Sequence, residues 1–229
     1  MEAKYISMAK LNELTRPSPF SQEEYNAISN ASSNGNFVLT DLTEQLRKDG
    51  WSVEGEGAFS WVYANPSKDY IIKVNKMYDR GFAMFAYVSH KYPNIHFPRF
   101  MDYKLIPRIN RKIIEVPNKY KMSQNHVYIY KIEKLVECVY NKTFMLLHAI
   151  NAIADAYNDG EIHKAKEWIY GINYDVTIRN LFLMRPKLEK ALDIILQNNP
   201  GKVDLHAGNI MQREDGTIVF SDPYAVFKK

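Results

Sequence analysis

The segment Val203-Asp204-Leu205-His206-Ala207-Gly208-Asn209, followed by an apolar run that ends at Asp222, limits what this chain can fold into more than any other stretch. Asn209 follows Asp204 by five residues, and Ile210–Arg213 and Thr217–Ser221 read as two short strands around Glu214-Asp215-Gly216. Asp-Gly supplies the positive φ that a tight hairpin needs, so the pattern predicts a hairpin that returns Asp222 towards Asn209. An amide and a carboxylate converging beside a third group, the Asp204 carboxylate, suit a hard cation held against a polyphosphate. An Asp with an Asn five residues later is common and on its own describes a solvated loop. The hairpin and the placement of Asp222 make the pattern far more specific.

Upstream, Gly55-Glu56-Gly57-Ala58-Phe59-Ser60-Trp61-Val62 joins two β-rich runs. Gly55 and Gly57 let a backbone approach phosphate oxygens with no Cβ in the way, Phe59 falls at the tip, and Val62 suits apolar contact with a base from the following strand. A Gly-x-Gly between strands is by itself usually just a turn. Asp69-Tyr70-Ile71-Ile72-Lys73-Val74 then carries one cation in an apolar run. An isolated lysine of this kind is an edge residue with a solvated head. Lys73 instead follows the glycine turn by one short hairpin and precedes a helical segment, which places it to pair with phosphates.

These elements match, in order, the glycine-rich loop, the phosphate-pairing strand lysine and the catalytic loop of protein kinases. Their local wording narrows the likeness. Ser52–Val74 and Val203–Val226 resemble the early serine/threonine protein kinases of short-tailed T-odd lytic phages (Autographiviridae). The shared features are the glycine loop ending Phe59-Ser60, the strand Ile72-Lys73-Val74, and Asp204-x-His206-x-Gly208-Asn209-Ile210-Met211 followed by Asp222-Pro223. Leu39–Trp51 and Lys134–Cys138 add to it, and the whole covers under half of the chain.

The resemblance implies an α+β, two-lobed protein-kinase-like fold with a small antiparallel β lobe carrying one helix and a compact, mostly helical C-terminal lobe. It implies ATP and Mg²⁺, with Gly55, Gly57, Ser60, Val62, Lys73 and the hinge residue Glu133 on the nucleotide, Lys73 and Asp204 as catalytic groups, and Asn209 and Asp222 on the metal. The expected activity is transfer of the γ-phosphate to Ser/Thr of host proteins early in infection, in the host cytoplasm, including transcription or RNA-processing proteins. The family also carries a C-terminal segment linked to shut-off of host transcription; the chain stops before it, so that activity is not expected.

Several positions depart from the kinase pattern. Ser60 replaces the third glycine, and Lys202-Val203 stand where common kinases have His-Arg before the catalytic Asp. An Arg there often receives an activation-loop phosphate, so activity without loop phosphorylation is expected. Seven residues follow Asp222, and neither a long activation loop nor late helices are expected. Pro223-Tyr224 replace Phe-Gly, removing that motif as a switch. The segment Asp79–Tyr92, which should present a Glu to Lys73, has Asp79 as its sole acid. Either Asp79 reaches Lys73 or the acid comes from elsewhere.

A chain of 229 residues with 46% hydrophobic content suits two small lobes around an ordinary core. No apolar run approaches the ~18 residues of a membrane span, and Met1-Glu2-Ala3-Lys4 does not begin a secretory signal; no membrane association is expected. The single cysteine, Cys138, excludes an intramolecular disulfide and, beside Val136 and Val139, reads as a packed residue. Net charge is +4, but Lys104, Arg108, Arg111, Lys112, Lys119 and Lys121 face Glu115 alone within one stretch. That stretch is compatible with an acidic protein surface or nucleic acid such as RNA. Its sparse aromatic residues favour a solvated hairpin.

The expected organisation is an N-terminal helical extension over 1–50, an ATP-binding lobe over 51–134, and a helical lobe with the catalytic loop and hairpin over 135–229. Ser21-Gln22-Glu23-Glu24 has capping-box spacing, and Thr40-Asp41 reads as the opening of a helix that ends near Gly50, with a loop over Asn30–Asn36 between the two. Strands are expected near Trp51–Glu56, Trp61–Ala64, Tyr70–Asn75, Phe100–Ile106 and His126–Ile132. Backbone groups of Glu133–Leu135 are the candidates for the adenine edge. Phe144, Leu147, Ile150 and Ala154, and later Leu188, Leu192, Ile195 and Leu196, recur at helical spacing, with Pro186 suited to a helix start.

Two rivals stand beside the protein-kinase reading. His206, in a place where protein kinases usually carry Lys, resembles aminoglycoside and choline kinases, which phosphorylate small acceptors. The missing helix Glu suits a kinase-like binding protein that has lost catalysis and engages a host enzyme.

Overall fold

The computed structural model describes residues 18–32, 37–57, 60–75, 79–107, 114–116, 120–122, 126–164, 167 and 185–225. The first helix, α1 (Gln22–Asn30), starts as its sequence dictates. Ser21 Oγ accepts the Glu24 amide at 3.3 Å and Glu24 Oε2 accepts the Ser21 amide at 2.8 Å, closing the capping box. Helix α2 (Leu39–Lys48) begins earlier than Thr40-Asp41 suggested, with Val38 at the cap and no side-chain cap bond. Asp41 therefore lies in the first turn, where its charge suits the helix dipole. The loop expected between them is described only in part, because residues 33–36 lie outside the described set.

The strands β1 (Ser52–Glu56), β2 (Ser60–Ala64), β3 (Tyr70–Asn75), β4 (Phe100–Pro107) and β7 (His126–Glu133) form one antiparallel sheet in the order β1-β2-β3-β7-β4. A separate hairpin of β5 (Ile114–Val116) and β6 (Tyr120–Met122) lies within the basic stretch. Arg108, Arg111, Lys112 and Lys119 of that stretch lie outside the described residues. Lys104 is used internally: its Nζ sits 3.3 Å from the centroid of the Tyr25 ring. The protein is thus mixed α+β, as the sequence pattern predicts at that level.

Alternation along the strands separates two faces. Ile72, Val74, Val127 and Ile129 pack with Ile28, Leu42, Leu46 and Trp51 beneath α1 and α2. This layer also buries ionic groups: Glu24 and Lys131 are almost fully enclosed, with Nζ 3.8 Å from Oε2, and Tyr70 donates a short hydrogen bond to Glu24. Lys131 also donates to the Pro19 carbonyl at 3.0 Å. The opposite face carries Tyr103, Tyr128, Tyr130 and Ile132 and receives α3 (Arg80–Lys91) through Phe82, Phe85 and Val88.

The same core continues into the C-terminal part, through α4 (Tyr140–Asn158) and α5 (Pro186–Gln197). Pro186 opens α5 where no internal amide bond is lost. Short strands β8 (Val136–Glu137), β10 (Ile210–Gln212) and β11 (Ile218–Phe220) form one sheet, and β9 (Lys202–Val203) pairs with β12 (Tyr224–Ala225). Cys138 is partly buried against this core. Among the described residues, no helix is long and apolar enough to cross a membrane.

Candidate functional site

Backbone pairing assembles the C-terminal residues singled out by the sequence. Val203 and Tyr224 are partners in the β9–β12 ladder, and the Asp204 amide donates to Pro223 O at 2.8 Å. The Asn158 side chain grips the preceding residue twice, accepting from Val203 N at 2.9 Å and donating to Val203 O at 2.8 Å. After Asp204 the chain makes a 3₁₀ turn over Ala207–Asn209. Asn209 donates its amide Nδ2 to Asp204 O at 2.8 Å, which leaves its oxygen as the atom suited to a cation.

The hairpin expected after Asn209 is present. Ile210, Met211 and Gln212 pair with Phe220, Val219 and Ile218, and Gly216 adopts φ +82° in the turn, which side chains disfavour. Thr217 N donates to Asp215 Oδ1 at 2.8 Å, holding the Asp215 carboxyl below its usual range. At the other end, Ser221 N donates to Asn209 O at 2.9 Å, so Asn209 and Asp222 are brought together.

That hairpin delivers Asp222 to Lys73, with Nζ 2.9 Å from Oδ2 across 149 positions of sequence. Lys73 is buried and also lies 3.5 Å from the centroid of the Phe82 ring. The second Asp222 oxygen, Oδ1, is buried and has no hydrogen-bond partner among the described residues. An orphaned carboxylate oxygen costs on the order of 1–3 kcal/mol, more when charged, and a hard cation would satisfy it. Among the described residues, no three His, Cys, Asp or Glu side chains gather as a metal set. The donors fit Mg²⁺ in the manner it commonly adopts, with few protein oxygens and the remaining positions left to water and phosphate.

The sequence left open which acid meets Lys73. In the fold that acid is Asp222, not a residue of α3. Asp79 instead caps α3, accepting from Phe82 N at 2.9 Å. Burial, and then the charge of Asp222, push its carboxyl up to about 6 against the opposing pull of Lys73, although part of its surface still meets solvent. Gly81 lets this end of α3 abut the strand after Asp222: a Cβ there would lie 2.5 Å from Tyr224 O.

Gly57 N donates to Ser60 O at 2.9 Å, and Val62 pairs with Gly55 on one side and Lys73 on the other. Neither Gly55 nor Gly57 has positive φ, and a Cβ on either would make only ordinary contacts of 3.7 Å or longer among the described residues. Nothing in those residues demands glycine at these places. Ala58 and Phe59, the expected loop tip, lie outside the described residues.

Two of the backbone groups that the sequence offered to an adenine edge are already engaged. The Glu133 amide donates to Arg99 O at 3.0 Å and the Lys134 amide to Asp69 O at 2.8 Å, so neither N–H is open to an adenine edge. The Glu133 side chain is buried and accepts from Arg99 Nε at 3.0 Å and from Arg213 Nε and Nη2 at 3.0 and 2.7 Å. Burial pushes the carboxyl up, but the bonds from Arg213 and Arg99 outweigh it and hold it below its usual range. Arg213 further donates to the Ile95 and Phe97 carbonyls.

Arg213, Arg99, Asn158 and Gly81 were not singled out as site-forming from sequence. A half-buried bidentate arginine looks like any other basic residue at a turn, and an Asn ending a helix reads as a cap. Compared with protein-family models and with curated proteins, the chain matches none.

Proposed function

We propose that the protein is a kinase with a two-lobed, protein-kinase-like fold, transferring the γ-phosphate of ATP to serine or threonine hydroxyls of proteins. The observation that carries this reading is the Lys73–Asp222 pair with the buried Oδ1 of Asp222 unpartnered among the described residues, one residue after the Ser221 amide that bonds Asn209 O. Lys73 binds phosphate, and the open backbone at Gly55 and Gly57 lets Ser60, Val62 and the turn lie over the nucleotide. Asn209 and Asp222 hold Mg²⁺, which neutralises charge on the phosphates when bound. Asp204, with a side chain 41% exposed, orients the acceptor hydroxyl and takes its proton. The acceptor class, host proteins in the cytoplasm of an infected cell, rests on the sequence resemblance to the phage kinases.

The test is radiolabel transfer from [γ-³²P]ATP into host lysate, comparing wild type with Asp204→Ala and Asp222→Ala. Label in Ser/Thr of proteins, lost in both variants while Asp204→Ala still binds nucleotide, is the expected outcome. Full transfer by Asp204→Ala defeats the assignment. His206 near Asp204 favours a second reading, a kinase for small hydroxyl acceptors, and label confined to the low-molecular-weight fraction selects it. Absence of any transfer, with capture of a host protein, selects a non-catalytic binder.

A further inference from the structure

His206 is a polar side chain beside Asp204 that the roles above do not use. Its Nδ1 accepts the Gly208 amide at 3.0 Å, so the neutral ring carries its proton on Nε2. Nε2 lies 3.9 Å from Asp204 Oδ1. That is too long for a direct hydrogen bond, yet it leaves room for one oxygen to touch both atoms. Both side chains are open to solvent, at 58% and 41% exposure. Gly208 is matched to the ring: a Cβ there would meet His206 Cε1 at 3.0 Å and Nδ1 at 3.2 Å.

Capping the short 3₁₀ turn accounts for the Nδ1 bond alone. Asp or Ser would cap as well, and neither carries an N–H donor across a ring from the capping atom. A histidine enclosed in the core is also ruled out by its exposure.

We propose that His206 is a catalytic residue that grips the acceptor hydroxyl together with Asp204, an inference that rests on the kinase reading. Nε2–H donates to one lone pair of the hydroxyl oxygen, and the hydroxyl donates its proton to Asp204 Oδ1. In the transfer, the other lone pair forms the bond to the γ-phosphorus. The bond from that phosphorus to the β–γ bridging oxygen breaks, its electron pair leaves on ADP, and the proton passes to Asp204. The pair of contacts selects acceptors with both a lone pair and a proton, which a hydroxyl has and a lysine ammonium lacks.

The test uses dephosphorylated casein as acceptor with Mg²⁺ and [γ-³²P]ATP, and ¹⁵N-histidine NMR on the free protein. His206→Ala is expected to lower kcat/KM for casein by about tenfold or more, with KM for ATP changed less than about twofold. His206→Gln, which retains an N–H donor, recovers part of the loss. Gly208→Ala, which crowds the ring, falls with His206→Ala and loses the wild-type tautomer signal, while circular dichroism and binding of a fluorescent ATP analogue stay as in wild type. Wild-type kcat/KM in His206→Ala, or an Nδ1-protonated ring in the free protein, overturns the assignment of His206 alone. A wild type that labels no hydroxyl takes the kinase reading down and this inference with it.

Discussion

Replacing Asp79 by Asn changes one charge and little else. Asn caps a helix about as well as Asp, so the bond from Phe82 N at 2.9 Å survives. In the folded chain the Asp79 carboxyl is raised from 3.8 to about 6 by burial first and by Asp222 second. An acid with a raised folded pKa penalises the native state when it is ionised. The penalty is full above pH 6, shrinks as pH falls and protonates the folded chain first, and is gone below the unfolded value near 4. At about 1.4 kcal/mol per pKa unit it amounts to about 3 kcal/mol at pH 8, an upper bound because Asp222 and Lys73 respond to the same titration. Urea denaturation of both proteins at pH 8 and pH 5 measures it. Asp79→Asn is expected to be the more stable at pH 8, with the gain falling to roughly half at pH 5. An equal gain at both pH values, or a loss at pH 8, refutes the electrostatic reasoning.

Three further outcomes follow from the packing. Gly81→Ala forces a Cβ against Tyr224 O at 2.5 Å, and a loss of about 1–3 kcal/mol together with weaker nucleotide binding is expected by thermal melting and titration. Glu24→Gln leaves Lys131 enclosed without its carboxylate; a cost on the order of 3 kcal/mol is expected in denaturant, and the double variant with Lys131→Met regains most of it. Arg213→Ala strips two hydrogen bonds from buried Glu133. Because the Glu133 pKa is depressed in the fold, its stabilisation is present above the unfolded value of about 4.5 and is lost as pH falls below it, so Arg213→Ala flattens that acid decline in a pH series of melts.

Local chemistry made much of this fold legible. The capping box at Ser21, the helix start at Pro186 and the hairpin turn at Gly216 all depend on a few adjacent residues. The start of α2 was misplaced because Thr40 and Asp41 look like caps, while packing of Leu39 against the α1 layer extends the helix past them. In the site, the hairpin brings the chain at Asp222 back to Asn209, and the β9–β12 ladder sets Asp204 against Pro223. What sequence could not reveal was each side chain's choice among partners. The Glu133 carboxylate is bound by two arginines, one of them 80 positions away, which no local pattern reveals. For Lys73 the sequence offered Asp79 or an unspecified acid from elsewhere, and the fold supplies Asp222 from 149 positions away.

The consequence of those distant partners is a hairpin held from two sides. Phe220 N donates to His96 O at 2.9 Å, the His96 ring bonds Ile218 O at 2.7 Å, and Arg213 reaches the Ile95 and Phe97 carbonyls, so the connection between α3 and β4 runs alongside β11. On the other side, Asp204 N holds Pro223 O and Ser221 N holds Asn209 O. Moving the backbone at Asp222 away from Lys73 would break several of these bonds, each worth on the order of 1 kcal/mol net and more where a buried group is left unpaired. It would also separate a partly buried ion pair and pull Tyr224 from its edge contact with Phe85. The arrangement of Lys73, Asn209 and Asp222 is therefore set by the folded backbone itself. Under the proposed kinase reading, control of phosphate transfer would fall on access of the acceptor to Asp204 and His206, whose side chains are exposed, and not on dismantling the Lys73–Asp222 side.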